Sequence, residues 1–203
     1  MHRWPNANEL LRHDTSTMPS VKLERPRVSF ADLQQAPEDG RRYELYDGEV
    51  FVVPAPIPLH QIAVMRFYEL LRAYTKGHGG LVFLSPIDIV FSEFDVVQPD
   101  VVFFQHGREH LIDLHTAIRV APDLAIEVLS PSTARTDRGR KMQMLARYGV
   151  LEYWLVEPDV RQVEVYWLAG EAFALAQTAS ASEEARSTVL PDFDLIVDQL
   201  FDL

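Results

Sequence analysis

Two apolar runs near the middle of the chain each carry a carboxylate where an apolar residue is expected, and this limits the fold more than any other feature. The first is QPDVVFF, residues 98–104, in which Asp100 precedes four apolar residues. The second is PDLAIEVL, residues 122–129, in which Glu127 interrupts a stretch too apolar for a surface strand. A carboxylate in a buried strand costs several kcal/mol, on the order of ~3–5, unless it is paired, protonated or bound to a cation. If the two runs are neighbouring strands, both acids face one point. Lys141 gives a third, independent signal. At 100° per residue, Met144, Leu145 and Tyr148 cluster around its direction, while Arg140, Gln143 and Arg147 point away. A lysine centred on an apolar stripe needs a partner in the interior.

The rest of the chain is read around these segments. Residues 1–27 are polar and without periodicity and are expected to form a flexible arm, leaving 28–203 as a single domain. Ser29 to Gln35 reads as a short helix with Ser29 as N-cap. RYELY and EVFVV flank Asp47-Gly48 and predict a hairpin over Arg42–Val53. A helix is expected from His60 to Lys76, with Ala63, Phe67, Leu70, Leu71 and Tyr74 on one face and Gly77 past its end. Further apolar runs span Leu81–Leu84, Ile87–Phe91, Val96–Phe104 and Leu124–Leu129. A helix over Arg135–Arg147 follows, then a strand pair, Glu152–Val156 and Gln162–Leu168, and a short strand and helical turn at the end. This order predicts an α/β domain with a mixed sheet flanked by helices.

Composition narrows the function classes. The chain has no cysteine, which excludes disulfides and thiolate metal sites, and its seven histidines lack the spacing of a zinc centre. No apolar run is long enough to cross a bilayer, and the first 20 residues lack a secretory apolar core, so the expected setting is cytoplasmic with no membrane partner. The net charge of −11 opposes nonspecific nucleic-acid binding. Its distribution is uneven, however. Arg135, Arg138, Arg140, Lys141 and Arg147 against Asp137 leave a local +4 beside the three singled-out residues, a basic lip that suits a phosphate-bearing substrate.

Two carboxylates with waters and a backbone carbonyl form the oxygen-rich site that Mg²⁺ or Mn²⁺ accepts, and an ammonium facing it can orient a water or offset charge on a phosphoryl transition state. Plainer readings stand beside this one. Asp100 follows a proline and fits a turn, Glu127 fits a buried arginine pair, and Lys141 fits a snorkelling lysine. His60 reads as a core histidine at a helix start. Glu44 and Glu49 lie on opposite phases of the hairpin, so at most one points inward. No P-loop or nucleophile elbow is present.

Together YELYDGEVFVV, the His-Gln helix start, QPDVVFF, PDLAIEVLSPSTARTDRGRK and YGVLEYWLVEP resemble the Uma family of restriction endonuclease-like proteins, within the PD-(D/E)XK nuclease superfamily. The resemblance covers Phe30 to the C-terminus and implies a restriction endonuclease-like core. It implies a Mg²⁺- or Mn²⁺-dependent DNA endonuclease leaving 5′-phosphates, with Asp100 and Glu127 as metal-binding acids and the Val128 carbonyl as a further ligand. Glu44 is implied as an additional acid, with Glu49 the less secure candidate. The position two after Glu127 is Leu129 rather than the superfamily's lysine, so Lys141 is the expected spatial replacement, with Asp137 one turn before it as its support. Arg135, Arg138 and Arg140 are expected to steady the substrate backbone. By analogy with restriction enzymes a homodimer is expected, with YWLVEP and VEVYWL offering a pairing edge. The alternatives in other classes are an inactive nuclease-fold binding or assembly module, and a metal hydrolase of a smaller phosphorylated compound.

Overall fold

The computed structural model describes residues 26–37 and 39–202; the expected arm, residues 1–27, lies outside them except for its last two residues. One of these, Arg27, stacks on the Phe94 ring and pairs with Asp47, so the chain is already docked there. Helix α1 (Phe30–Leu33) starts at a reciprocal cap in which Ser29 and Asp32 exchange hydrogen bonds. Strands β1 (Arg42–Tyr46) and β2 (Glu49–Val53) form the expected hairpin, and Asp47 and Gly48 both take positive φ, 54° and 78°, as its two-residue turn demands.

Helix α2 (Pro58–His78) starts two residues earlier than expected, with proline in its first turn, and runs through Gly77. Gly79, at φ 74°, is its terminator. Strands β3 (Leu81–Leu84), β4 (Ile89–Ser92), β5 (Asp95–Val97), β6 (Val101–Phe104) and β7 (Leu124–Val128) follow. The apolar run Val96–Phe104 is therefore two strands, broken at Gln98-Pro99-Asp100 where the chain passes from one sheet to another. Pro99 has no N–H to give a ladder, which makes it a natural breakpoint.

One sheet has order β2-β1-β5-β4. The other, with β8 (Glu152–Glu157), β9 (Gln162–Ala169) and β10 (Ala172–Ser180), has order β10-β9-β8-β7-β6-β3. Strands β7 and β8 are parallel and every other pair in that sheet is antiparallel, so the sheet is mixed as expected. A small pair, β11 (Glu184–Arg186) and β12 (Asp194–Ile196), and a terminal 3₁₀ turn complete the chain. The long strand β10 has no counterpart in the sequence reading, because most of its residues are solvent-facing and give no apolar alternation. The pairing-edge expectation is corrected: YWLVEP and VEVYWL are β8 and β9, both internal, and the edges of this sheet are β10 and β3.

Strand alternation divides the core in two. Val101, Phe103, Leu124, Ile126 and Trp154 pack under Ala63, Phe67 and Leu71 of α2. On the opposite face Val102, Phe104, Ala125, Tyr153 and Leu155 pack with Met144 and Leu145 and with Tyr46, Ile89 and Val97 of the four-stranded sheet. By the same alternation Glu127 shares the face of Ala125.

Candidate active site

The β6–β7 register pairs Val101 with Ile126, so continuing it by one residue sets Asp100 opposite Glu127. Asp100 is fixed by its neighbours: the Val128 N–H donates to its Oδ2 at 2.9 Å, and the His60 Nε2 lies 3.0 Å from the same oxygen. Both acids are buried, each 5% exposed, and both line a cleft of about 180 Å³. Its walls come from the Pro54–Ile57 loop after β2 and the Ser130–Thr133 loop after β7.

Lys141 reaches this point from the segment connecting β7 to β8. That segment is not one regular helix. Helix α3 (Ala134–Thr136) passes into a π-helical turn over Asp137–Lys141 and then into α4 (Met142–Arg147). The wide turn leaves Asp137 and Lys141 buried while Met144 and Leu145 face the core. The Lys141 Nζ donates to Glu127 Oε1 at 2.8 Å, lies 2.8 Å from Glu44 Oε1, and is 3.7 Å from Asp137 Oδ1. Asp137 is thus the weakest of its three contacts. Glu44, 1% exposed, is held in turn by the Tyr46 hydroxyl at 2.6 Å and the Gln98 N–H at 2.8 Å. Tyr46 lies two residues along the same strand, so its side chain shares the face of Glu44.

Three buried carboxylates, Glu44, Glu127 and Asp137, meet one ammonium in this interior, and a fourth, Asp100, is buried beside them in the same cleft. Burial pushes Glu127 well above the ordinary glutamate range; Lys141 opposes the shift, and Asp100, Asp137 and Glu44 add to it. Burial likewise raises Asp137. For Lys141 burial favours the neutral form, but Glu127, Glu44, Tyr46 and Asp137 outweigh it and hold the ammonium well above the usual lysine range. The site therefore holds more acidic groups than its lysine can pair, and the raised Glu127 and Asp137 reflect that excess.

That imbalance and the oxygen-only donor set fit a hard divalent cation. Asp100 Oδ2 and Glu127 Oε1 take the hydrogen bonds, and the other oxygen of each accepts none among the described residues. No three His, Asp or Glu side chains among the described residues cage a metal by themselves. Mg²⁺ does not need such a cage, since it usually binds through one or two carboxylates and keeps several waters.

The other expected site residues are elsewhere. Val128 lines the cleft, and its N–H side faces Asp100. Arg135, Arg138 and Arg140 do not line it. Arg138 is clamped between Glu157, at 3.0 Å, and Glu164, and Arg140 pairs with Glu49 at 2.6 Å. Arg147 pairs with Asp95, so most of the basic lip is neutralised within the fold. Arg135 is exposed and makes no ion pair among the described residues. The opposite-phase expectation for Glu44 and Glu49 is corrected: the register pairs Glu44 with Phe51 and Tyr46 with Glu49, so both acids lie on one face of the hairpin, and Glu49 differs in being exposed at its turn end, where it pairs with Arg140. His60 proves to be more than a core histidine, since it braces Asp100 and its buried Nδ1 has no partner. Arg42 and Gln98, which also line the cleft, gave no signal in the sequence because neither interrupts an apolar pattern.

Mixed β-sheet, flanking helices and a carboxylate–lysine cleft at the sheet junction define a restriction endonuclease-like α/β protein. The chain belongs to the Uma2 family, described as "Putative restriction endonuclease", which matches residues 30–198. An uncharacterised protein of Synechocystis sp. is 26% identical over 144 residues, covering 70% of this chain and 74% of that relative. Among solved structures, a "putative nuclease belonging to DUF820" from Anabaena variabilis has the same fold, with a TM-score of 0.72 and 20% identity over 86% of this chain and 97% of that chain. No helix among the described residues is long and apolar enough to cross a membrane.

Proposed function

We propose that the protein is a nuclease that hydrolyses phosphodiester bonds with Mg²⁺ or Mn²⁺, and that DNA is its substrate. The observation that carries this reading is the meeting of Asp100, Glu127 and Lys141 in one cleft, with Glu127 and Lys141 only 2.8 Å apart. Asp100, Glu127 and the Val128 carbonyl would hold the metal, which supplies the Lewis acidity that polarises a phosphate and acidifies a water. A lysine has three donors, and two of those on Lys141 are directed at Glu44 and Glu127. The third is left to orient the attacking water or to meet the charge growing on the phosphate oxygens. Glu44 and Tyr46 keep the ammonium in place, and His60 keeps Asp100 turned toward the cleft.

The test combines cleavage with metal binding. Wild type should cut DNA with Mg²⁺ or Mn²⁺, and a saturating metal at about 100-fold its Kd should raise stability by about 2.7 kcal/mol. Asp100→Ala and Glu127→Ala should lose both effects. A binding module without chemistry would instead show neither cutting nor metal-dependent stabilisation, and both substitutions would raise its stability by removing carboxylate repulsion.

A further inference from the structure

A second hollow, of about 360 Å³, lies beside the cleft, and Arg42 and Gln98 line both. The rest of its lining includes Gln34, Arg41 and the exposed Pro86. Most arginines in this acidic chain are tied to carboxylates; among the described ones only Arg42, Arg72 and Arg135 make no ion pair. Of these three, Arg42 alone reaches the cleft. Its Nη1 donates to the Ser85 hydroxyl at 2.6 Å, a neutral partner, and no carboxylate among the described residues is within ion-pair distance, although Asp88 lines the same hollow. Gln98 marks the same partition. Its Nε2 donates to Asp88 at 2.8 Å, which fixes the amide orientation, and its buried Oε1 has no donor.

A cation and an unfilled acceptor, side by side and next to the hydrolytic centre, match a nucleotide: phosphate for the first, an amino or hydroxyl group for the second. We propose that Arg42 and the hollow beside it bind the nucleotide adjoining the scissile phosphate, and that the strand they accept is single-stranded. This rests on the nuclease reading and specifies its substrate. The strand form follows from depth. Asp100 and Glu127 are nine-tenths buried between two loops, and an unpaired strand can thread a phosphate into such a cleft where a stiff duplex must stay outside.

The experiment compares wild type with Arg42→Gln, Arg42→Lys and Ser85→Ala, using fluorescently labelled single-stranded and duplex oligonucleotides and bis(p-nitrophenyl) phosphate, a diester small enough to occupy the cleft alone. Arg42→Gln should raise KM and Kd for the single strand roughly tenfold, as loss of one charge-assisted contact does, with kcat little changed. It should also flatten the dependence of log K on log[salt] by about one phosphate contact. Arg42→Lys should recover most of the binding, Ser85→Ala, which removes a positioning hydrogen bond and leaves the charge, should fall between wild type and Arg42→Gln, and Arg42→Gln should raise KM for the small diester less than for the single strand. Duplex should bind more weakly than its own single strand. If wild type cuts oligonucleotides and Arg42→Gln matches it in KM and salt slope, or raises KM for the small diester as much as for the single strand, the nucleotide subsite is wrong and the nuclease reading stands. Duplex bound and cut as well as its single strand overturns the strand preference. A wild type that binds and cuts no oligonucleotide, with or without metal, overturns both.

Discussion

Replacing Lys141 by methionine removes the ammonium that meets three buried carboxylates while keeping the length and most of the volume of the side chain. Lys141 is 3% exposed, so water cannot take over the role of its ammonium. Two carboxylate oxygens at 2.8 Å lose their counter-charge, and Asp137 at 3.7 Å loses part of its own. Deleting one partner of a buried pair costs about 3–5 kcal/mol, because the other charge stays behind unpaired. At about 2–4 °C per kcal/mol for a chain of this size, Tm should fall by roughly 6–20 °C. Scanning calorimetry or urea unfolding measures this. Two companion measurements separate the charge effect from a packing effect. Adding Glu44→Gln and Glu127→Gln to Lys141→Met replaces the network by neutral groups and should recover most of the loss. Saturating Mg²⁺ should raise the Tm of Lys141→Met more than that of wild type, since three acids have lost their internal cation. Lys141→Met within about 1 kcal/mol of wild type would refute the reasoning, as would a triple variant no more stable than the single one.

Glu127 holds its proton more tightly in the fold than in the unfolded chain, so its stabilising share is complete below the ordinary glutamate value of 4.5 and is lost as pH rises through the raised native value. Glu127→Gln cannot lose that share; the Tm difference, variant minus wild type, should therefore grow from pH 4.5 upward in metal-free buffer, and a flat difference contradicts the shift. Leu129→Lys puts a lysine at the superfamily's strand position, on the face of Glu127, but Leu129 is buried in the apolar cluster that includes Phe104, Leu145 and Leu155. That substitution should cost at least about 2 kcal/mol in urea unfolding and should not rescue cleavage by Lys141→Met; recovered activity would show that the strand position still reaches the cleft of Asp100 and Glu127.

The strongest sequence signals were local conflicts: acids inside apolar strands, and a lysine inside an apolar helix face. Such conflicts are legible because the cost of burying a charge does not depend on the rest of the fold, so each demands a partner wherever the chain goes. The hairpin turn at Asp47-Gly48 and the cap at Ser29 were equally legible, since positive φ and an unsatisfied helix N–H are satisfied within a few residues. The break at Gln98-Pro99-Asp100 was missed because apolar residues continue on both sides of it, and only sheet pairing tells one strand from two. The π turn over Asp137–Lys141 was hidden behind a helical pattern that it shifts without erasing.

What the sequence by itself determined is which residues require partners, and in the case of Asp100, Glu127 and Lys141 that was enough to name the centre. Who the partners are was decided by tertiary structure. Glu44 arrives from the four-stranded sheet, Glu127 from the six-stranded one, and Asp100 from the crossing between them, so their meeting depends on how two sheets join. The same is true of Arg138 and Arg140, whose charges look free along the chain and are taken by Glu164, Glu157 and Glu49 from distant strands. Arg42 is the converse, an ordinary arginine in sequence that stands out only because the folded chain brings it a neutral hydroxyl as hydrogen-bond partner and, among the described residues, no ion-paired acid. Charge pairing is a property of distance in space, and the chain order holds no record of it.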